Sequence, residues 1–479
     1  MAGQKSNIQK TLVVDLDGTL IKTDILYESL IAYIKANYLN IFRLLPKLIE
    51  GKATLKRFLA LNTELKPELL PYNQDVTDYI LKHKKSGGRV ALVTASDEFA
   101  AQSIGAHLGL FDTVFGSNGQ VNLKGSVKAE FLSKEFGNAN YIYIGDAAAD
   151  LASWKNSSKA VTVNISNGLR QKVDALQVEK LHIKTGSKTF SPYLTALRPH
   201  QWLKNILVFL PALAGHKFDA HILVASAIAF GLMSLVASSV YIINDIIDLD
   251  ADRAHPRKSL RPFASGNANV VVGLVFSALM IAISFGIATY YSKIFAAVLA
   301  AYFLTTCIYS LFLKKIIIVD VCVLAALYTI RIVAGAAITG IALSSWLLSF
   351  AAFFFFSLAA VKRQVELLDH GDRSETVVRG RGYLSSDANT LGTMAISAGY
   401  VSVLILALYI SSEDVLQLYA HPEYLWGVCL AVFFWLNRVY ILTHRRLMND
   451  DPVFFAATDR VSLALFGIIL AVLLFGASS

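Results

Sequence analysis

Long apolar runs constrain this chain more than any other feature of its sequence. From residue 202 onward they recur with lengths of about 17–25 residues, which is what an α-helix needs to cross a bilayer. Nine candidate spans lie near residues 202–218, 220–243, 268–290, 294–312, 316–339, 344–361, 391–411, 422–441 and 461–477. The residues before them have the composition of a soluble domain. We therefore predict a multidomain protein, with a soluble domain over residues 1–190 and an all-α polytopic membrane domain over residues 191–479.

The charges favour one orientation of these spans. With a cytosolic N-terminus, the predicted inner loops carry most of the cations: Arg253, Arg257, Lys258, Arg261, Lys314, Lys315, Lys362, Arg363, Arg445 and Arg446. This positive-inside bias accounts for the net charge of +9 without nucleic-acid binding. The N-terminal segment MAGQKSNIQK lacks the apolar region of a signal peptide. We expect the soluble domain and both active sites to face the cytosol.

A group of acids stands where the second span ends, in YIINDIIDLDADRAHPRKSLRPFASG. At about 100° per residue, a helix places Asn244, Asp245, Asp248 and Asp252 on one side. Carboxylates held so close repel one another unless a cation lies between them, and hard oxygen ligands suit Mg²⁺. An inner loop whose charges only fix the topology would explain the cations, but not this shared face. The cations that follow suit an anionic diphosphate, and they are Arg253, His255, Arg257, Lys258 and Arg261.

The motif NDxxDxxxD formed by these residues resembles the first aspartate-rich motif of the UbiA superfamily of intramembrane prenyltransferases. Further segments resemble its decaprenyl-phosphate phosphoribosyltransferase branch: DRAHPRKSLRP at 252–262, LRPHQWLKN at 197–205, YSLFLKKIIIVD at 309–320 and VKRQVELL at 361–368. The resemblance covers about residues 195–479. It implies a UbiA fold in a bacterial inner membrane. It also implies Mg²⁺-dependent transfer of 5-phosphoribose from phosphoribosyl pyrophosphate to a polyprenyl phosphate, with release of pyrophosphate.

The resemblance also implies roles for individual residues. Asn244, Asp248 and Asp252 would hold Mg²⁺, and Asp248 and Asp252 would be the catalytic acids. The residues implied to bind substrates are Lys204, Asn244, Asp245, Arg253, His255, Lys258, Arg261, Tyr309, Lys314, Lys362, Arg363 and Glu366.

The loop after the sixth span departs from the aromatic prenyltransferases of this superfamily. Those enzymes usually carry a second motif, DxxxD, whereas Glu366, Asp369 and Asp372 are spaced by three here. The added cations in this loop suit a substrate with more phosphate groups. Three alternatives stay open: an aromatic prenyltransferase, a phosphatase with a non-catalytic membrane anchor, and a transporter that uses intramembrane carboxylates.

Three apolar strands in the soluble part end in polar residues. TLVV leads to Asp15 and Asp17, RVALV leads to Thr94, and YIYIG leads to Asp146 and Asp150. Because the carboxyl ends of strands line the ligand crevice of an α/β sheet, we expect these side chains to meet. Together with Lys128 in GSVKAEFL, they resemble the four motifs of the haloacid dehalogenase superfamily of phosphohydrolases, over about residues 10–165.

This second resemblance implies an α/β Rossmann-like fold and an aspartyl-phosphate mechanism. Asp15 would be the nucleophile and Asp17 the general acid and base. A second Mg²⁺ would be bound by Asp15, Asp146, Asp150 and the backbone of Asp17, and Thr94 and Lys128 would bind the phosphate oxygens. A domain that keeps the fold without the activity is the alternative.

Residues 24–85 read as a mostly helical cap inserted after the first strand. Its mixture of basic and apolar residues, as in ILYESLIAYIKANYLNIFRLLPKLI, suits either a cap that packs on its own core or a helix lying on the membrane surface. The fusion of the two domains predicts consecutive steps, in which the soluble domain removes the 5-phosphate from the lipid product. A homo-oligomer stays open.

Overall fold

The computed structural model describes residues 10–477 except 38, 119–120, 186–189, 370–380, 414, 416–418 and 449–450. The chain divides into two compact units. The first unit consists of Met1–Ala196 and Ile243–Leu274, and the second consists of Leu197–Ile242 and Val275–Ser479. The segment with the aspartate-rich motif therefore belongs to the first unit.

A six-stranded parallel sheet forms the centre of the first unit, with the order β3-β2-β1-β4-β5-β6. The strands are β1 Thr11–Val14, β2 Val90–Asp97, β3 Thr113–Ser117, β4 Tyr141–Gly145, β5 Lys159–Val163 and β6 Glu179–Ile183. In β1, Leu12 and Val14 pack into one core cluster and Val13 into another. Strands that are buried on both faces are typical of a parallel sheet covered by helices. The predicted α/β fold is confirmed.

Helices connect these strands and supply the cap. They are α1 Ile25–Ala36, α2 Asn40–Glu50, α3 Lys52–Asn62, α4 Gln74–Lys85, α5 Glu98–Leu108, α6 Ser126–Phe136, α7 Leu151–Lys155, α8 Asn167–Asp174 and α9 Ser191–Ala196. In the region predicted as a cap, α1–α3 enclose a small core around Tyr33, Leu44 and Leu59. On α2, Phe42 and Ile49 remain exposed. The cap thus has its own core and also an exposed apolar face.

Long apolar helices make up the second unit. They are α11 Ala220–Ile247, α13 Val270–Tyr291, α14 Lys293–Leu311, α15 Val319–Thr339, α16 Ser345–Asp369, α17 Ala388–Ile410 and α18 Leu425–His444; α11 and α13 each cross a unit boundary. These elements account for seven candidate membrane spans. Two further helices, α19 Pro452–Thr458 and α20 Arg460–Ala477, form a pair bent by 80° that could count as an eighth. The predicted helical membrane domain is confirmed.

The first of the nine predicted spans does not form one long helix in the described residues. Residues 202–218 contain the end of a 3₁₀ helix, Pro199–Phe209, followed by the short α10 Leu210–Ala214. Polar side chains interrupt the apolar run here: the Asn205 amide donates to Ser234 Oγ at 2.9 Å and its carbonyl accepts from Arg331 Nε at 2.8 Å. A run of sufficient length therefore does not become a single spanning helix.

Candidate functional sites

Acids from two neighbouring strands meet at one edge of the sheet in the first unit. Asp15 follows β1, and Asp146 and Asp150 follow β4. All four residues of β1 pair in parallel with residues of β4. One carboxylate oxygen from each of the three lies within 4.8 Å of the others. Among the described residues, no other group of three or more acids, histidines or cysteines has its ligand atoms this close together.

Lys128 reaches into this acidic group from α6. Its Nζ donates to Asp15 Oδ1 at 2.7 Å and to the Tyr143 hydroxyl at 3.0 Å, and it lies 3.9 Å from Asp150 Oδ1. The Tyr143 hydroxyl donates in turn to Asp150 Oδ1 at 2.7 Å. Burial opposes the charged form of Lys128, but Asp15 and Asp150 outweigh this effect and raise its pKa. Lys128 therefore stays an ammonium ion beside the predicted nucleophile.

The arrangement of the three acids fits a divalent cation. Burial raises the pKa of Asp15 to about 6, although the Lys128 ammonium opposes this shift. A pKa in this range indicates that the nearby positive charge is too small for the buried carboxylates. Carboxylate oxygens are the ligands that Mg²⁺ prefers. Asp15, Asp146 and Asp150 would hold such an ion, as the sequence predicts.

Asp17 lies beside this group and is fixed by two hydrogen bonds. Its Oδ1 accepts from the Ile25 amide at 2.8 Å, and its Oδ2 accepts from Ser96 Oγ at 2.6 Å. Burial raises the pKa of the Asp17 carboxyl to about 7, and the Asp24 carboxylate adds to the shift. A carboxyl group with this pKa can both give and take a proton near neutral pH. Thr94, predicted to bind phosphate, is fully buried and accepts from the Ser96 amide at 2.9 Å.

Gly18 allows the acids to approach so closely. Its φ is +72°, and a Cβ at this position would lie 2.3 Å from Asp146 Oδ2. Any larger residue would therefore be strained and would also push Asp146 away from the other acids.

The aspartate-rich segment continues the helical path beyond the end of α11. The Asp248 amide donates to the Asn244 carbonyl, and the Asp252 amide donates to the Asp248 carbonyl, each at 2.9 Å. Asn244, Asp248 and Asp252 therefore follow one another turn by turn, as predicted. The short α12, Leu249–Arg253, carries the last of them. Oxygen donors at this spacing suit Mg²⁺. Among the described residues, however, Asp245, Asp248 and Asp252 do not form a group of three acids within 4.8 Å of one another.

Two arginines in or just after this segment bind carboxylates. Arg261 Nη1 donates to Asp245 Oδ1 at 3.1 Å and to Asp252 Oδ2 at 2.6 Å, and both carboxylates are buried. Arg253 donates from three N–H groups to Glu28 and to the Ala264 carbonyl. Arg253 is thus placed to hold the segment rather than to reach a phosphate. His255 and Lys258 are exposed, and His255 Nδ1 accepts from the amides of Arg257 and Lys258.

In the second unit, two predicted phosphate-binding lysines share one acid. Asp451 Oδ2 forms an ion pair with Lys204 Nζ and lies 3.5 Å from Lys362 Nζ. Asp451 also caps α19 by accepting from the Val453 amide at 3.1 Å. The side chains of Lys204 and Asp451 are about nine-tenths buried. A phosphate oxygen arriving here would meet two lysine side chains that are already positioned.

A second polar group of this unit surrounds Asp320. This fully buried carboxylate accepts from the Tyr309 hydroxyl and from Arg363 Nη2, each at 2.8 Å. Arg363 also pairs with Glu366, and Arg381 Nη1 lies 3.6 Å from Asp320. Lys314 lies nearby in sequence, in the 3₁₀ turn Leu313–Lys315. Of the loop after the sixth predicted span, Asp372 lies outside the described residues.

Comparisons with known proteins agree with this architecture. Residues 205–459 match the UbiA prenyltransferase family, and residues 12–154 match the haloacid dehalogenase-like hydrolases. The first match covers more than half of the chain. The chain belongs to the UbiA prenyltransferase family. Its N-terminal part is a haloacid dehalogenase-like (HAD) phosphatase domain, so the protein is an enzyme with a transferase and a phosphatase domain.

Three relatives illustrate the likeness of this UbiA-family protein. An uncharacterised protein of Sinorhizobium fredii, y4nM, is 38% identical over 94% of this chain and 88% of its own length. Nodulation protein NoeC of Azorhizobium caulinodans is 35% identical over 57% of this chain and 89% of its own length. Decaprenyl-phosphate phosphoribosyltransferase of Mycolicibacterium smegmatis is 31% identical over 58% of this chain and 89% of its own length.

Three partners of the predicted site residues in this UbiA-family protein were not found from the sequence. Tyr143 and Ser96 stand in strands where alternation alone marks them as core residues, and only the structure shows their hydroxyls on Asp150 and Asp17. Asp451 is separated from Lys204 by 247 residues. Its sequence neighbours give one signal, because Asp-Pro before an apolar run is typical of a helix N-terminus.

Proposed function

We propose that the UbiA-family domain transfers 5-phosphoribose from phosphoribosyl pyrophosphate to a polyprenyl phosphate. We further propose that the HAD domain removes the 5-phosphate, which gives polyprenyl-phosphoryl ribose. One observation carries the proposal: a single chain joins a complete HAD acid group to a domain whose named relatives include decaprenyl-phosphate phosphoribosyltransferases. A phosphatase attached to such a transferase has a phosphate monoester to act on in the transferase's own product.

In the transfer step, an oxygen of the polyprenyl phosphate forms a bond to the anomeric carbon of the ribose. The bond from that carbon to pyrophosphate breaks, and the electron pair leaves with the pyrophosphate. The leaving group gains negative charge, so cations around it stabilise the transition state. Arg261, Lys204 and Lys362 are the residues that we assign to these phosphates.

In the hydrolysis step, a carboxylate oxygen of Asp15 attacks phosphorus and the ribose oxygen leaves. Asp17 gives that oxygen a proton, which its pKa of about 7 permits. Asp17 then takes a proton from the water that hydrolyses the aspartyl-phosphate. Lys128, 2.7 Å from Asp15, balances the charge of the phosphoryl oxygens during both steps.

Mg²⁺ has one site in each domain under this proposal. Asp15, Asp146, Asp150 and the Asp17 carbonyl would hold the ion of the phosphatase, and Asn244, Asp248 and Asp252 would hold the ion of the transferase. When bound, the ions neutralise phosphate oxygens and orient the reacting groups. The remaining predicted assignments belong to the same proposal: domains over 1–190 and 191–479, a bacterial inner membrane, and active sites on the cytosolic side.

The test uses the purified full-length protein with polyprenyl phosphate and phosphoribosyl pyrophosphate labelled in the ribose. Wild type should give a labelled lipid without a phosphate monoester. Asp15→Asn should give the phosphorylated lipid instead, because the aspartyl-phosphate cannot form; its phosphate release should fall by at least about 10³-fold. Asp248→Asn should give no labelled lipid.

Other results would contradict the proposal. If Asp15→Asn makes the same product as wild type, the HAD domain does not act on this lipid. If Asp248→Asn keeps full transfer, the aspartate-rich segment is not the transferase site. If prenylated 4-hydroxybenzoate forms from a prenyl diphosphate, the protein is an aromatic prenyltransferase instead.

A further inference from the structure

A buried ion pair joins the phosphatase cap to the aspartate-rich segment. Arg253 Nη1 donates to Glu28 Oε2 at 2.9 Å, and Arg253 Nη2 donates to Glu28 Oε1 at 2.8 Å. Both side chains are about 5% exposed, and both residues lie in the first unit. The two parallel hydrogen bonds fix the angle between the groups as well as their distance.

Each partner of this pair is held by further bonds on its own side. Glu28 Oε1 accepts from Thr23 Oγ1 at 2.7 Å, and Arg253 Nε donates to the Ala264 carbonyl at 2.9 Å. The helix of Glu28, α1, is in turn fixed at its first residue, because the Ile25 amide donates to Asp17 Oδ1. Through α1, Glu28 is therefore attached to Asp17 of the phosphatase site.

Further contacts also join residues 1–196 to the aspartate-rich segment and the residues that follow it. Gly266, with φ of +72°, approaches the segment that follows Asp17 so closely that a Cβ there would lie 2.7 Å from Lys22 Cβ. On the other side, the Asn269 amide donates to the Tyr193 hydroxyl at 3.0 Å. A weaker contact, 3.9 Å between Lys35 Nζ and Asp248 Oδ1, links α1 directly to the motif.

The ion pair also lies next to the acids of the predicted transferase site. Arg253 directly follows Asp252, whose carboxylate is held by Arg261 together with that of Asp245. Arg253 and Asp252 are neighbours in the short α12, so the contact that holds Arg253 also restrains the backbone that carries the Asp252 carboxylate. A metal site depends on such restraint, because supporting residues set the orientation of the ligands.

We propose that Glu28, a residue of the phosphatase cap, is a positioning residue of the transfer reaction and acts by holding Arg253 beside Asp252. This inference rests on the proposed transferase function and adds a dependence of the second active site on the first domain. The 284 residues aligned with the Mycolicibacterium smegmatis relative make up 89% of that protein. The remaining tenth of its length is too short for a phosphatase domain such as the one in this chain. The dependence would thus be a property of the fused chain.

The experiment measures transfer alone, in full-length protein that carries Asp15→Asn so that the lipid product keeps its phosphate. Glu28→Gln, Arg253→Met and the double variant are compared with this parent. The control is Glu50→Gln, which removes an exposed cap carboxylate paired with Lys47. In chains with Asp15 intact, hydrolysis of p-nitrophenyl phosphate reports whether each variant keeps a folded phosphatase domain.

We expect Glu28→Gln to raise the Mg²⁺ concentration needed for half-maximal transfer by roughly 10–100-fold, as other losses of ligand support do. The maximal rate at saturating Mg²⁺ should fall much less. Arg253→Met should have a similar effect, and the double variant should be no worse than either single one, because both remove the same contact. Glu28→Asp should be intermediate, and Glu50→Gln should match the parent.

Several results would overturn the inference. Glu28→Gln with the Mg²⁺ dependence of the parent would show that the contact does not position the segment. Additive losses, with Arg253→Met much the worse, would show that Arg253 binds the substrate itself. Equal losses of transfer and of p-nitrophenyl phosphate hydrolysis would show a purely structural role. No ribosyl lipid from the parent and control would overturn the proposed function and this inference with it.

Discussion

Two groups of carboxylates in the first unit balance their charge in different ways. Asp15 and Asp150 lie within 4.0 Å of the same lysine nitrogen, and Asp146 is close to both. In the aspartate-rich segment, Asp245 and Asp252 bind the guanidinium of Arg261, which follows a few residues later. The first group shares a single ammonium among converging acids, whereas the second has a local arginine that bridges two of them.

This difference indicates at which of the two groups a bound divalent cation would stabilise the folded protein more. Burial disfavours the charged form of a carboxylate and is the main reason that the pKa of Asp15 is raised, and the nearby Asp150 carboxylate adds to the shift. A bound ion would relieve the cost in the phosphatase site. In the aspartate-rich segment, Arg261 already bridges two carboxylates and offsets one of their two negative charges.

The largest effect should follow from removing the shared ammonium. Lys128→Met leaves Asp15 and Asp150 buried without their common partner, and the loss of one member of a buried pair costs about 3–5 kcal/mol. We expect faster hydrogen exchange in peptides of β1 and β4 in metal-free protein, and hydrolysis of p-nitrophenyl phosphate should also be lost. Lys134→Met, an exposed lysine of the same helix, is the control. Equal hydrogen-exchange rates in Lys128→Met and Lys134→Met would show that Lys128 does not balance the charge of Asp15 and Asp150.

Mg²⁺ should have the next largest effect, and it should separate the two groups. At 100 times its dissociation constant, an ion that binds only the folded state stabilises it by about 2.7 kcal/mol. We expect Mg²⁺ to slow hydrogen exchange in β1 and β4 of wild type, and this protection should be lost in Asp146→Asn but kept in Asp248→Asn. If the protection of β1 and β4 were lost in Asp248→Asn and kept in Asp146→Asn, the stabilising ion would not be bound by the phosphatase acids.

Much of the phosphatase site could be predicted from sequence because its chemistry is local to strand ends. Asp15 and Asp17 follow β1 directly, and Asp146 follows β4, so a parallel sheet brings them to one edge. The helical repeat likewise predicted the path from Asn244 to Asp252. In both cases the regular geometry of secondary structure, a parallel strand pair or a helical repeat, fixes the relevant spacing.

What the sequence did not predict are choices of partner between distant elements. Glu28 and Arg253 are 225 residues apart, and from the sequence a phosphate is an equally suitable partner for Arg253. The same holds for Asp451 and Lys204. Apolar length also failed as a guide near Asn205, because it counts residues and does not register a buried amide bound to Ser234 and Arg331.

Asp17→Asn should have the opposite effect, a gain in stability. The folded-state pKa of Asp17 is raised from 3.8 to about 7, so the folded protein holds this proton more tightly than the unfolded chain. The carboxyl therefore lowers stability progressively as the pH rises from about 4 to about 7, and the full cost applies above that range. Asparagine removes the charge, its Oδ1 can still accept from the Ile25 amide, and its NH₂ group can donate to Ser96 Oγ in place of the bond that Asp17 accepts.

We expect metal-free Asp17→Asn protein to be more stable than wild type at pH 8 and about equal to it near pH 4. Hydrogen exchange of β1 at both pH values measures the difference, and Asp78→Asn, on the exposed face of α4, is the control. Hydrolysis should nevertheless fall by about 10²–10⁴-fold, because the proton donor is lost. A stability gain that does not change with pH would mean that the charge of Asp17 is already balanced in the folded protein. The phosphatase acids would then resemble those of the aspartate-rich segment, and the contrast between the two groups would be lost.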